Sequence, residues 1–230
     1  MVLFERVIVC LCTSLKMSAA AGKNESWKKQ ERSSAEGKWL RMFNAVYKDP
    51  RNGVERTYEC VERTRARSPD GVDIIPILRH SSGADGDKEV ILLKQYRPPV
   101  NATVLEFPAG LVEEGEDPLE AGLRELKEET GFVAERKTAH VWSGSPVLHA
   151  DPSITSDSTV VYVVDVDADR EENLPKNRKQ ALEDSENIVV QIVPLSSLYD
   201  TCVKAAEDGC VIDVKVYMFA MGLHLASSLT

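Results

Sequence analysis

A chain of 230 residues, 43% of them hydrophobic, can bury one sizeable core and a smaller accessory unit. Against 28 basic side chains stand 37 acidic ones, a net charge of −9, so nucleic acid is excluded as the main partner: an acidic surface gains nothing from counterion release. The five cysteines (Cys10, Cys12, Cys60, Cys202 and Cys210) share no C-x-x-C spacing, which argues against a disulfide framework or zinc cluster and for a reducing compartment, the cytoplasm or nucleus.

In chain order, the first feature is an apolar run, Val7 to Leu15, preceded by Arg6 and followed by small residues. It resembles a secretory signal but is too short to span a bilayer, and it is read as part of an extension, with a second start available at Met17. No other stretch resembles a membrane span. Residues 18–37 are polar and lysine-rich, so residues 1–36 are expected to form a flexible N-terminal extension. Residues 37–68 read as a small β region. Leu40–Tyr47 and Val54–Arg65 flank a turn at Asp49–Gly53, whose Asn52-Gly53 pair suits a tight reversal. Two short strands cannot bury a core alone, so this region is expected to pack on the main domain or on a partner subunit.

Residues 69–230 form the main domain. Strand-length apolar segments occur at Val72–Leu78, Val90–Gln95, Val104–Phe107, Ala139–Trp142, Thr159–Val166 and Ile188–Val193. Helical spacing predicts two C-terminal helices, Leu195–Glu207 and Asp213–Leu225. Irregular alternation of the two kinds of element implies an α/β or α+β sandwich, a mixed sheet with flanking helices. Asp167–Glu186 is polar and charged and reads as a long surface loop of the kind that often serves function.

The chemistry sits in Gly110–Phe132, GLVEEGEDPLEAGLRELKEETGF. Asp117 suits an N-cap, Pro118 the first helical position, Glu120 the capping-box position and Gly131 the C-terminal stop. Leu119, Leu123 and Leu126 give one buried stripe, while Glu125, Glu128 and Glu129 gather on another face across one turn. Such crowding destabilises a helix unless positive charge sits among the acids, and carboxylate oxygens completed by phosphate and water are what magnesium prefers. A solvated acidic face is the plain alternative.

Gly110, Glu116 and Arg124-Glu125-Leu126-Lys127-Glu128-Glu129-Thr130-Gly131-Phe132 resemble the full box of the Nudix hydrolases, G-x5-E-x7-REU-x-EE-x-GU, with every defined position filled. Lys94–Pro99 (KQYRPP), Leu105–Gly110 (LEFPAG), Gly37-Lys38-Trp39, Tyr58-Glu59 and Asp151-Pro152 resemble the animal ADP-ribose/ADP-sugar pyrophosphatase branch. Ser153 departs from the glycine usual after Asp-Pro, and Tyr58 from a tryptophan often found in the adenine clamp.

The resemblance implies a Nudix fold and hydrolysis of the diphosphate of ADP-ribose or a related ADP-sugar, with Mg2+ or alternatively Mn2+. It assigns Glu125, Glu129 and the Ala109 carbonyl to metal, with Glu128 at the metal or just behind it. Glu116 would support the loop and Arg124, and Arg124 would orient a glutamate. Arg97, Arg63 and Glu59 become substrate-site residues, although Arg63 equally suits a solvated edge; Asp151 would contact ribose, or serve only as a turn residue. Trp39 and Tyr58, too large for a small hairpin to bury, would stack adenine across a homodimer, since the resembling enzymes exchange this region over a two-fold axis. Glu186, before the last strand, is the expected base, with Glu183 and Asp184 competing. Another nucleotide substrate, such as an oxidised nucleoside diphosphate, and a non-catalytic nucleotide-binding module remain alternatives. Trp142 and Phe107 are expected in the core, and His80, His140, His149 and His224 have no assigned role.

Overall fold

The computed structural model describes residues 29–81, 88–136 and 141–229, without the side chains of 29–34 and 141–143. The apolar run Val7–Leu15, Cys10, Cys12, His140 and the Trp142 side chain lie outside the described residues. So does the start of the strand expected at Ala139; its described part is Val141–Gly144.

Three strands come first: β1 (Lys29–Glu36), β2 (Leu40–Lys48) and β3 (Glu55–Arg63), ordered β1-β2-β3. The expected turn forms at Asp49–Gly53. Gly53 takes φ +71°, Arg51 bonds both oxygens of buried Asp49, and Asn52 Oδ1 accepts from the Val54 N–H. Lys29–Glu36 corrects the expected extension of residues 1–36. Its polar composition hides a strand because pairing with β2, not an apolar stripe, makes it one. The chain divides into two units, one of 29–35 and Met42–Cys60, the other of Glu36–Arg41 and 61–229. The end of β3 thus groups with the larger unit, several residues before the boundary expected at 68–69.

The larger unit is built on an eight-stranded mixed sheet, which matches the expected sandwich. Its strands are β4 (Gly71–Arg79), β5 (Glu89–Arg97), β6 (Ala102–Glu106), β7 (Ala109–Leu111), β8 (Val141–Gly144), β9 (Thr159–Asp167), β10 (Ile188–Pro194) and β11 (Val211–Ile212). Among the described residues three α-helices interrupt or follow these strands: α1 (Pro118–Thr130) between β7 and β8, α2 (Leu198–Glu207) between β10 and β11, and α3 (Val214–Ser228) after β11. β4 pairs parallel with β9 along its length but antiparallel with β5 only at Ile77 and Leu78. The other half of β5 pairs with β6, and the first residues of β4 pair with β7. The segment Phe107-Pro108-Ala109 therefore crosses from one strand to the other where β4 and β5 part, and the Pro108 carbonyl accepts from the Ile74 N–H. The short strands β7 and β11 have no readable pattern of their own; only register makes them strands.

Strand alternation sends the two faces of β4 to different helices. Val72, Ile74 and Leu78 pack with Leu119, Leu123, Leu126 and Phe132 beneath α1. Ile75 and Ile77 join Leu92, Leu105 and Phe107 against Leu198, Cys202, Val216 and Ala220 of α2 and α3. Phe107 is core as expected. Among the described residues no helix is long and apolar enough to cross a membrane.

Candidate active site

Helix α1 starts and stops where its sequence directs. Asp117 Oδ1 accepts from the Leu119 and Glu120 N–H groups at 3.0 and 3.3 Å, Pro118 opens the first turn, and Gly131 at φ +74° donates to the Lys127 carbonyl. Gly122 lets the helix settle on the sheet: a Cβ there would stand 2.4 Å from Ile74 Cδ1. Close packing on that side turns the acids toward the crossing segment before Gly110.

Arg124 is the hub. Its Nε bonds Glu116 at 3.0 Å, Nη1 bonds Glu125 at 2.8 Å and Glu128 at 3.1 Å, and Nη2 reaches Glu116 and the Leu111 carbonyl, both at 3.2 Å. Hydrogen bonds donated to Glu116 and Glu125 outweigh burial and hold its pKa above the ordinary arginine value. Glu116 also accepts from the Glu113 N–H, so it ties the loop to the arginine, as expected.

Glu129 is the most buried of the three helix acids, 4% exposed, and its Oε2 accepts from the Ala109 N–H at 3.0 Å. Burial above all, then the charges of Glu125, Glu186 and Glu106, push its pKa up to about 8 against that hydrogen bond. Glu125 is raised by burial and by Glu128 and Glu186, with Arg124 opposing. It lies so close to the crossing segment that a Cβ on Gly110 would stand 2.1 Å from its carboxylate.

A second network lies alongside. Arg97 Nε contacts both oxygens of Glu106, at 3.0 and 3.1 Å, and its Nη2 reaches Oε1 at 2.8 Å. Burial raises the pKa of Glu106 despite that arginine. On the α3 side of the sheet, buried Asp73, the register partner of Ala109, accepts from Lys215 Nζ at 2.6 Å and from Thr159 Oγ1 at 2.7 Å. Burial opposes the Lys215 ammonium, but Asp73 and Asp213 outweigh it and raise its pKa.

The structure thus gathers Ala109, Glu125, Glu128, Glu129 and Arg124, and Glu186 is close enough for its charge to act on Glu125 and Glu129. Glu186 Oε2 accepts from the Glu183 N–H, and Glu183 and Asp184 are exposed. Arg63 pairs with Asp157 at 2.5 Å, and Asp151 accepts from the backbone and hydroxyl of Ser153, closing its turn. Trp39 is 63% exposed with Lys38 Nζ 4.5 Å above its ring; Tyr58 and Glu59 are exposed. Sequence reasoning missed Glu106, Asp73 and Lys215. Glu106 stood inside the LEFPAG motif, and its place beside Arg97 could have signalled it; the Asp73–Lys215 pair spans 142 residues and carries no sequence signal.

The fold and this box define the class: the chain belongs to the Nudix family, and residues 70–211 match its NUDIX domain. The particular likeness is to two curated relatives. ADP-ribose pyrophosphatase of Saccharomyces cerevisiae is 37% identical over 218 residues, 91% of this chain and 89% of the yeast protein. ADP-sugar pyrophosphatase of Mus musculus is 36% identical over 197 residues, 84% of this chain and 85% of the mouse protein. A crystal structure of an ADP compounds hydrolase superposes with TM-score 0.55 at 24% identity, covering 76% of this chain and 82% of that one, a likeness of fold.

Nudix hydrolases generally depend on a divalent metal. Among the described residues no three His, Cys, Asp or Glu side chains already stand in metal-holding geometry. The donor set nonetheless fits a hard divalent cation. Three carboxylates crowd one turn, and burial and the neighbouring acids raise the pKa of Glu129, a cost that a bound cation would offset.

Proposed function

We propose that this chain hydrolyses the diphosphate of ADP-ribose and related ADP-sugars, releasing AMP and ribose 5-phosphate or another sugar phosphate. The observation that carries this reading is Glu129. A buried carboxylate with its pKa near 8, bonded to the loop that starts the box, is costly unless function uses it. The two pyrophosphatase relatives, each aligned over more than four-fifths of its length, support the substrate class.

Glu125, Glu129 and the Ala109 carbonyl would hold Mg2+, or Mn2+ in its place, with Glu128 beside them. When bound, the cation neutralises diphosphate charge and makes water a better nucleophile at neutral pH. The protein's own groups do the rest. Arg124 spaces Glu125 from Glu128, and Glu116 fixes Arg124 to the loop. Arg97, half-exposed beside Glu106, can turn to a diphosphate oxygen, while Glu186 accepts the proton of the attacking water. In the assembled enzyme, a homodimer, Trp39 and Tyr58 of different subunits would sandwich adenine, with Glu59, Arg63 and Asp151 around the rest of the substrate. The free thiols of Cys60, Cys202 and Cys210 suit a reducing compartment such as the cytoplasm.

The test is a screen of ADP-ribose, ADP-glucose, diadenosine phosphates and oxidised nucleoside diphosphates with Mg2+. ADP-ribose should give the highest kcat/KM; preference for an oxidised nucleotide by tenfold or more would replace the reading.

A further inference from the structure

Gln95 belongs to the KQYRPP segment of β5 and has no part in the mechanism above. It is 8% exposed, and its Oε1 is a buried oxygen without a hydrogen-bond partner. Buried polar atoms in folded proteins are nearly always bonded, so an orphan acceptor marks a place where something else binds.

Its surroundings indicate what. Side chains alternate along β5, and Ile91 packs into the core beneath α1, so Leu93, Gln95 and Arg97 follow on the α1 side. Register partners share a face, which adds Val104 and Glu106 from β6 and Ile188 from β10. Arg97 is opposite Ala102 and Glu106 is opposite Leu93, so their ion pair reaches along the sheet over the Gln95–Val104 rung. On the other edge, Ile188 is the partner of Gln95, and Glu186 stands two residues before it, just outside the strand. Diagonal positions on paired strands are roughly 7–8 Å apart, and the chain entering β10 brings Glu186 toward that edge, where two long side chains can share one water. The charges of Glu106 and Glu186 both act on Glu129, so this floor faces the helix acids.

We infer that Gln95 is a further catalytic residue: its Oε1 accepts one hydrogen bond from the attacking water while Glu186 accepts the other. This rests on the hydrolase reading and on Glu186 as base. A neutral amide orients the water without adding another charge to an acidic site, and the lone pair is left to face phosphorus. The water oxygen forms the new bond to phosphorus, and its proton passes to Glu186. The bond to the bridging oxygen breaks, leaving its electron pair on the departing phosphate.

The test is a kinetic and thermal cycle on the full chain with Gln95→Met, Glu186→Gln and the double variant, using ADP-ribose and Mg2+. Gln95→Met should lower kcat roughly ten- to a hundredfold with KM within about twofold. It should melt close to wild type, since the buried oxygen it removes has no partner. Because both residues hold one water, the double variant should be slower than Glu186→Gln by no more than about threefold. An unchanged kcat, a loss carried by KM, full multiplication of the two effects, or a lower melting point in step with kcat would each overturn the assignment. If wild type leaves ADP-ribose intact, the substrate reading fails instead, and the same cycle is decided on whichever nucleotide of the panel it hydrolyses.

Discussion

Burial, with Glu125, Glu186 and Glu106 beside it, pushes the Glu129 carboxyl up to about 8 from the ordinary glutamate value of 4.5 that it keeps in the unfolded chain. Between these values the folded state binds more protons than the unfolded one. Its contribution to stability is therefore complete below pH 4.5 and is lost as pH rises through 8. In cation-free buffer the melting temperature should fall between pH 5 and 8.5 more steeply for wild type than for Glu129→Gln; parallel slopes would show that Glu129 is not the strained acid. Gly110 offers a second residue-level check. The three atoms nearest a Cβ there all belong to the Glu125 side chain, which can move aside, so Gly110→Ala should fold with little loss of stability yet lose at least tenfold in kcat by displacing that carboxylate. Wild-type kinetics from a stable variant would detach Glu125 from the reaction. At this scale the sequence was informative wherever neighbours lie within one helical turn: Arg124, Glu125, Glu128 and Glu129 could be grouped by spacing alone. Glu106 against Arg97 and Gln95 against Ile188 could not, because strand register, set by the whole sheet, brings them together.

Among the elements, α1 was legible to its end residues because capping chemistry is local: Asp117, Pro118 and Gly131 all act where the sequence places them. The segment between β9 and β10 was legible only as a polar loop. Its anchors are single side chains buried by the fold. Asn173, 2% exposed, bonds the Val133 backbone in both directions and the Asp167 carbonyl. Farther along, Gln180 and the Ala181 N–H bond the Glu129 and Glu128 carbonyls at the end of α1. These bonds fix the approach to Glu186, leaving the exposed residues 183–185 as the part able to shift. Glu186→Gln should lower kcat by roughly 10²–10⁴ with KM little changed. Glu183→Gln keeps the backbone N–H that Glu186 accepts from and should do far less, as should Asp184→Asn. Equal effects from all three, measured by steady-state kinetics, would make the segment a cover and move the base to Glu116, Glu125 or Glu128.

For the whole molecule, exposed aromatics in both units bear on assembly. In the smaller unit Tyr58 is 48% exposed, and in the larger unit Trp39 is 63% exposed; large aromatics left in water are commonly covered by a ligand or a partner. Light scattering should show a homodimer, and Trp39→Ala should raise KM for ADP-ribose about tenfold with a smaller effect on kcat. A monomer with Trp39→Ala kinetically silent would remove the shared adenine clamp while leaving the box chemistry intact. Product analysis reaches that chemistry without intermediaries: AMP released from ADP-ribose with Mg2+ by wild type and by Glu129→Gln, quantified side by side. Wild type should yield AMP and ribose 5-phosphate in equal amounts, and the variant should lose at least a hundredfold in rate while keeping its fold by circular dichroism. No AMP from wild type, or an undiminished rate from the variant, would contradict it.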